Sequence, residues 1–293
     1  HSSKPLKVIK EVVTLRFAPN PNFIPTLGNL RGWLLNKHLL DSALPGSQLF
    51  LRLDDSDPKN KPATEEGIEG YINLVNDYLP ETKIYRCSTR LQIYYEKAKK
   101  YLEQGLLTIE SYSGKEPLKI FEEMIYGLSE YKKIWAKTSL RKECCLRVIP
   151  LEEQKLKNEK GFCLYPTLIY QTTLDDHLLG VTHAARGKDL IQVGRRQESL
   201  SELFSLKMPK VLYWGRIKIL SNKGIEKISS SEYSLKSSNQ DKTLYTYQYF
   251  KKRGYGIKTL EKFILSYGFT ENDIVLDLKR LDHFKKLCSS TDQ

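Results

Sequence analysis

Two apolar runs, each followed by a helical pattern, constrain the fold of the N-terminal part more than any other feature. The run VVTLRF at 12–17 precedes apolar residues at helical spacing between Leu27 and Leu35. The run LFLRLDD at 49–55 precedes a helical pattern that begins after Thr64, a residue type that caps helix N-termini. Strand, helix, strand, helix in this order predicts a parallel sheet with helical crossovers, and therefore an α/β fold.

The remaining chain divides into segments of different character. LQIYYEKAKKYLEQ at 91–104 predicts a helix that Gly105 closes. From 106 to 162 the periodicity weakens and charges are dense, which indicates an insertion. A helix is expected at 196–207, one strand at 211–220 (VLYWGRIKIL), a serine-rich loop at 229–238 and small helices at the end.

Composition limits the partners and the compartment. The net charge of +12 favours a polyanionic partner such as nucleic acid, although lysine-rich chains can simply be soluble. No apolar run approaches the roughly 20 residues that cross a bilayer, and the N-terminus lacks the apolar centre of a signal peptide, so we expect a cytoplasmic protein. The five cysteines form no CxxC pair, which favours reduced thiols over a metal site.

Two polar loops follow the two predicted N-terminal strands. FAPNPNFIPTLGN at 17–29 offers the neutral donors and acceptors of Asn20, Asn22, Thr26 and Asn29, and DDSD at 54–57 follows the second strand. Ligands of open parallel sheets bind at the carboxyl ends of strands, and a helix N-terminus there favours phosphate. From the pattern alone, a ligand site and a merely capped loop both remain possible.

The same loop carries a resemblance to a known family. RFAPNPNFIPTLGNLRG at 16–32 resembles the first signature of class I glutamyl-tRNA synthetases, especially of the archaeal-type branch, with TLGN in the place of the HIGH motif. Later segments resemble further sequence blocks of that family, and they come in the family's order. They are LRLDDSDPKNK at 51–61, STRLQIYYEKAKKYLEQG at 88–105, DDHLLGVTHAARGKDLI at 175–191, and YWGRIKI at 213–219 followed by ISSSE. The resemblance covers residues 12–285.

The resemblance implies a fold and a two-step reaction. Glutamate attacks the α-phosphate of ATP, bound with Mg²⁺ and without a dedicated metal cage, and the glutamyl group then passes to tRNA, whose acceptor stem meets the basic surface. The expected fold is a Rossmann-type parallel core at 10–85 and 163–210, split by an acceptor-binding insertion at 86–162. A KMSKS-like loop and a mostly helical junction would follow at 211–293, without an anticodon-binding domain.

Individual roles are carried over from the matching positions. Arg16 would hold the side-chain carboxylate of glutamate, Arg186 would be a second arginine there, and Asp54 would receive the substrate ammonium. The full substrate-binding set is Arg16, Ala18, Asn20, Asp54, Leu168, Thr172 and Arg186. The ATP-binding set is Thr26, Gly28, Asn29 and Asp189. The catalytic set is Thr26, Asn29, Lys227, Ser229, Ser230 and Ser231. Structural roles are expected for Asp57, Asp175, Asp176 and His183.

Departures from the family pattern leave other functions possible. Phe23 stands where the family has glycine, Thr26 and Asn29 replace histidines, Leu168 replaces a tyrosine, and Ser230 replaces the second KMSKS lysine. A short paralogue that transfers glutamate to another acceptor, or a degenerate tRNA-binding protein without catalysis, are therefore alternatives. Three explanations are open for the missing anticodon-binding domain: a shortened chain, a separate chain that carries the domain, or a naturally short protein. Glutamine is a conceivable substrate, but Arg16 and Arg186 together favour a charged side chain.

Overall fold

A five-stranded parallel sheet forms the centre of the fold. The computed structural model describes residues 6–221, 224–227 and 245–289. The strand order is β3-β2-β1-β8-β9, and every neighbouring pair is parallel. Its strands are β1 (Thr14–Phe17), β2 (Gln48–Leu53), β3 (Ile84–Arg86), β8 (His183–Gly187) and β9 (Lys210–Trp214). The predicted α/β class with a parallel core is therefore confirmed.

Nine α-helices of four residues or more accompany the sheets within the described residues. They are α1 (Leu27–Ser42), α2 (Glu65–Tyr78), α3 (Leu91–Glu103), α4 (Pro117–Ile125), α5 (Leu168–Leu178), α6 (Ile191–Leu203), α7 (Tyr247–Lys252), α8 (Ile257–Leu265) and α9 (Leu281–Ser289). Thr64 caps α2 as predicted, since its hydroxyl accepts the Gly67 N–H at 3.0 Å. Such a cap typically contributes about 1 kcal/mol.

The insertion contains an antiparallel sheet of four strands in sequence order. They are β4 (Leu107–Ile109), β5 (Lys133–Lys137), β6 (Lys142–Val148) and β7 (Leu164–Pro166). Because β7 pairs with β6, the sheet of the insertion extends past the expected boundary at 162. The apolar run at 163–166 gave no sign of which sheet it joins.

The region after 210 differs most from the expectation. VLYWGRIKIL was expected to be one strand, but it is divided between β9, which completes the parallel sheet, and β10 (Ile217–Ser221). The chain turns at Gly215, where a side chain would collide with the Asn272 carbonyl. β10 pairs with β11 (Gly224–Lys227) and β12 (Ile274–Asp277), so a three-stranded sheet accompanies the expected helices in the described part of 211–293. The parallel sheet therefore continues past the expected boundary at 210, because β9 pairs with β8.

Two separate apolar cores support this arrangement. One packs the parallel sheet against α1, α2 and the C-terminal helices, with Trp33 and Leu34 fully buried. The other packs α3, α4, α5 and α6 on the antiparallel sheet around Tyr94 and Phe121. Among the described helices, none is both long and apolar enough to cross a membrane.

Candidate active site

Two loops meet at the carboxyl edge of the parallel sheet, next to the point between β1 and β8 where the strand order reverses. The loop at 18–26 follows β1, and the loop that begins at Asp54 follows β2. The Asp54 N–H donates to the Pro19 carbonyl at 2.9 Å, and the Thr64 N–H donates to the Pro21 carbonyl at 3.0 Å. Open α/β sheets bind their ligands at such a switch point. The two loops therefore lie against each other at the edge where the sequence predicted a shared crevice.

Asp176, in α5, is the central acceptor of a buried arginine cluster. Arg16 donates to both of its oxygens, from Nε to Oδ1 at 2.8 Å and from Nη2 to Oδ2 at 3.0 Å. Gln197 Nε2 adds a bond to Oδ2 at 2.7 Å. Burial alone would raise the pKa of Asp176, but Arg16, Arg52 and Arg186 outweigh it and hold that pKa far below its usual range. Asp176 is therefore ionised at neutral pH.

Arg52, at the end of β2, is a member of the cluster to which the sequence assigned no role. Its Nε donates to Asp54 Oδ1 at 3.1 Å, and its Nη1 lies 3.5 Å from Asp176 Oδ1. Its Nη2 donates to the Thr172 hydroxyl at 3.1 Å. Thr172, expected to line the amino-acid pocket, thus holds a guanidinium of the site. Burial raises the pKa of Asp54, and the charges of Arg52 and Arg16 offset only part of that rise.

Arg186, at the end of β8, has the weakest pairing of the three arginines. Its Nη2 donates to Gln197 Oε1 at 3.1 Å and lies 3.8 Å from Asp176 Oδ2. Its Nε is buried and has no hydrogen-bond partner among the described residues. Burial, and next the charge of Arg16, lower the pKa of Arg186 to about 10.

The cluster carries an unbalanced positive charge. Among the described residues, these three guanidinium groups form ion pairs with two carboxylates, those of Asp54 and Asp176. Buried charges are costly unless they are paired, so a cluster with one excess cation is suited to an anionic ligand. A guanidinium fork matches the geometry of a carboxylate or a phosphate with paired hydrogen bonds.

Asp175 belongs to a second layer of contacts around this cluster. Arg90 Nη2 donates to its Oδ1 at 2.8 Å, and the Tyr94 hydroxyl donates to its Oδ2 at 2.6 Å. The sequence interpretation assigned Asp175 and Asp176 to helix polarity. That interpretation is incomplete, because both are fully buried and each holds arginine side chains from other elements. Two adjacent acids in an apolar helix were the available signal, since buried carboxylates require partners.

Asp57 and His183 have the structural roles that were expected. Asp57 Oδ1 accepts the backbone N–H groups of Lys59 at 3.0 Å and Asn60 at 2.9 Å, and it thereby caps the turn. Its Oδ2 also pairs with Arg147 of β6. His183 is buried at the start of β8.

The TLGN turn at the start of α1 is capped from within the protein. The Thr26 N–H donates to Asn29 Oδ1 at 2.9 Å, and the Asn29 N–H donates to the Thr26 hydroxyl at 3.4 Å. The Leu27 N–H donates to the Tyr245 carbonyl at 3.0 Å, and Thr26 forms an isolated β-bridge with Thr246. The chain that returns from the serine-rich segment is thus joined to the TLGN turn.

The other predicted residues lie at the rim of the crevice or beyond the described parts. Asn20, half-buried beside Ala18, accepts the Asn22 N–H at 3.0 Å. Leu168, the first residue of α5, is 43% exposed. Asp189 is exposed just after β8, and Lys227 is the last residue of β11. The serine-rich loop at 229–238, with Ser229, Ser230 and Ser231, lies outside the described residues.

The parallel sheet with its antiparallel insertion is the fold of a class I aminoacyl-tRNA synthetase catalytic domain. A solved structure of a glutamate tRNA ligase from Elizabethkingia meningosepticum superposes with a TM-score of 0.61, covering 95% of this chain and 70% of that chain at 16% identity. A glutamate-tRNA synthetase from Elizabethkingia anophelis gives 0.62, with 94% and 70% covered, also at 16% identity. At this identity the likeness concerns the fold alone.

Sequence comparison then identifies the family. The family model described as "tRNA synthetases class I (E and Q), catalytic domain" matches residues 12–163 and 149–287, and the chain belongs to this family. It is 34% identical to the glutamate–tRNA ligase of Archaeoglobus fulgidus, over 93% of this chain and 55% of that protein. It is 31% identical to the one of Methanothrix thermoacetophila, over 94% of this chain and 54% of that protein. The chain thus spans about half the length of these relatives.

Proposed function

We propose that this chain activates glutamate with ATP and transfers the glutamyl group to tRNA(Glu). The observation that carries the proposal is the surplus positive charge of the buried arginine cluster at the switch point. A neutral amino-acid side chain would leave that charge uncompensated, whereas the side-chain carboxylate of glutamate would balance it. The names of the archaeal relatives support the same substrate.

The cluster offers separate positions for the two ends of glutamate. The side-chain carboxylate would be held by Arg186, whose Nε is unpaired among the described residues, with Arg16 beside it. The ammonium would be received by Asp54, whose Oδ1 is bonded to Arg52. Ala18, Asn20, Leu168 and Thr172 would line the remaining pocket.

MgATP would lie over the TLGN turn. Gly28 lets the backbone approach the phosphates, Thr26 and Asn29 would exchange their mutual hydrogen bonds for contacts with the nucleotide, and Asp189 would lie beside it. An oxygen of the glutamate α-carboxylate attacks the α-phosphorus, and the bond to pyrophosphate breaks. Lys227 and the serines Ser229, Ser230 and Ser231 would act on the phosphates, and catalysis would rest on positioning and charge rather than on a covalent enzyme intermediate.

The acceptor stem of tRNA would meet the basic outer face of the antiparallel sheet. The Nζ atoms of Lys142 and Lys133 lie 4.8 Å and 5.6 Å from the ring centre of Trp135 in β5. Lys137 is paired with Lys142 across the β5–β6 ladder. These cations suit the phosphates of an RNA stem, which proteins contact largely by shape and charge. The terminal adenosine hydroxyl then attacks the glutamyl carbonyl and AMP leaves.

The decisive experiment is aminoacylation of tRNA(Glu) together with ATP–pyrophosphate exchange. The proposal predicts glutamate-dependent exchange, followed by charging of tRNA(Glu). Exchange without charging favours transfer to another acceptor, or a requirement for a separate anticodon-binding chain. The absence of exchange, with tRNA binding intact, contradicts the enzymatic proposal.

A further inference from the structure

Cys87 has a polar environment that the proposed reaction does not use. It is the first residue of the 3₁₀ helix Cys87–Arg90, directly after β3, and it is fully buried. Its Sγ lies 3.4 Å from Asp54 Oδ1 and 3.9 Å from Asp175 Oδ2. A thiol between two carboxylates is unusual packing. Its single S–H can donate to one acid at a time, whereas an apolar side chain of the same size would donate to neither.

This thiol is a hydrogen-bond donor rather than a nucleophile. Burial, and next the charge of Asp54, raise the pKa of Cys87 well above its usual range, and Asp175 adds to the rise. A thiolate there would be the third negative charge of the group. The sulfur therefore keeps its proton and can donate it to a carboxylate oxygen, while it is poorly suited to attack or oxidation.

The contacts of Asp54 are unevenly distributed over its two oxygens. Oδ1 accepts from Arg52 Nε at 3.1 Å and from the Cys87 thiol. Among the described residues, Oδ2 accepts no hydrogen bond. Two donors on one oxygen fix the rotation of the carboxylate and leave the second oxygen to a ligand.

We propose that Cys87 is a positioning residue that orients Asp54, so that Oδ2 faces the ammonium group of the bound amino acid. The inference rests on the proposed function, in which Asp54 receives that ammonium. The sulfur also lies 3.9 Å from Asp175 Oδ2, and Asp175 is held by Arg90 and Tyr94 on the insertion side of the site. The orientation of the carboxylate is thus set by elements on both sides of the site.

The first test compares two ligands that differ only in the ammonium group. Binding of L-glutamate and of glutarate is measured by calorimetry for the wild type, Cys87→Ala and Cys87→Ser. Loss of one hydrogen bond from the weak thiol donor should weaken L-glutamate binding about fivefold in Cys87→Ala and leave glutarate binding unchanged. Cys87→Ser should largely restore the affinity for L-glutamate. Cys145→Ala truncates another buried thiol, remote from Asp54, and should change neither affinity.

Two results of this comparison overturn the proposal. An equal loss for both ligands would mean that Cys87→Ala merely loosens the pocket. Unchanged binding of L-glutamate in a folded Cys87→Ala protein would mean that the thiol does not orient Asp54.

A second measurement tests, without any ligand, whether the Cys87 thiol bonds to the Asp54 carboxylate. A thiol bond to the ionised carboxylate lowers the pKa of Asp54, which faces Arg52, Arg16 and Cys87. Carbon-13 NMR of the carboxyl group should therefore give a higher pKa in Cys87→Ala than in the wild type, with Cys87→Ser close to the wild type. If the wild type binds no glutamate, the proposed function fails, and an unchanged Asp54 pKa in Cys87→Ala is the separate result that overturns the positioning role.

Discussion

Replacement of Asp176 by asparagine tests whether the arginine cluster depends on this one carboxylate. Its two oxygens accept from Arg16 and Gln197 and lie within ion-pair distance of Arg52 and Arg186. Asparagine has nearly the same shape, but it removes the charge and turns one acceptor into a donor. The excess of positive charge in the cluster would then increase from one to two.

The expected loss of stability is large. Removal of one partner of a buried ion pair costs about 3–5 kcal/mol, because the remaining charge stays buried. For a chain of this size each kcal/mol lowers Tm by about 2–4 °C, so Asp176→Asn should lower it by roughly 6–20 °C. Thermal and urea unfolding, each followed by circular dichroism, measure the change.

Asp57→Asn is the matched control. Asp57 is partly exposed, and its turn-capping oxygen can be replaced by the amide oxygen, so we expect a change within about 1 kcal/mol. The double variant Asp176→Asn/Arg186→Gln should recover part of the lost stability, since it removes one of the uncompensated charges. Equal effects of Asp176→Asn and Asp57→Asn, or no recovery in the double variant, would refute the reasoning.

Three further predictions concern substrate affinity, pH and packing. Arg16→Ala should raise the KM for glutamate far more than the KM for ATP, and equal effects on both would contradict its role. In the proposed binding mode the substrate ammonium pairs with ionised Asp54, whose pKa burial raises, so the KM for glutamate should rise as the pH falls, and it should do so at a higher pH than an ordinary aspartate would require. A KM that stays flat down to about pH 4 in steady-state assays argues against this. Gly67→Ala should destabilise the fold by about 1–3 kcal/mol in urea unfolding, because a Cβ would meet the Pro21 carbonyl, while Gly256→Ala, with open space around it, should change little.

The sequence predicted the parts of the fold that depend on local pattern. The strand–helix alternation up to Tyr78, the helix at 91–103 and its closure by Gly105 are confirmed, since apolar periodicity and capping residues act over a few positions. Periodicity does not report which sheet a strand joins. That is why 211–220 was expected to be one strand, although β9 and β10 lie in different sheets.

The candidate site was likewise only partly predictable from the sequence. Arg16, Asp54 and Arg186 were chosen because of a resemblance to known motifs, and the structure places them in one cluster. Arg52 and Asp176 were not assigned there, because their contacts join residues more than a hundred positions apart: 124 between Arg52 and Asp176, and 160 between Arg16 and Asp176. Only the buried ion-pair geometry reveals that the arginines share one acceptor and retain an unbalanced charge.

The surplus charge of the arginine cluster is the central claim, and amino-acid-dependent ATP–pyrophosphate exchange tests it most directly. The assay compares glutamate with glutamine, which has the same length and no side-chain charge, with and without tRNA(Glu). Exchange that depends on glutamate, with glutamine at least tenfold poorer in kcat/KM, is the predicted result, since about 1.4 kcal/mol of charge pairing already gives that ratio. Exchange that favours glutamine, or equal exchange with both amino acids, would contradict the assignment of the cluster to a carboxylate side chain.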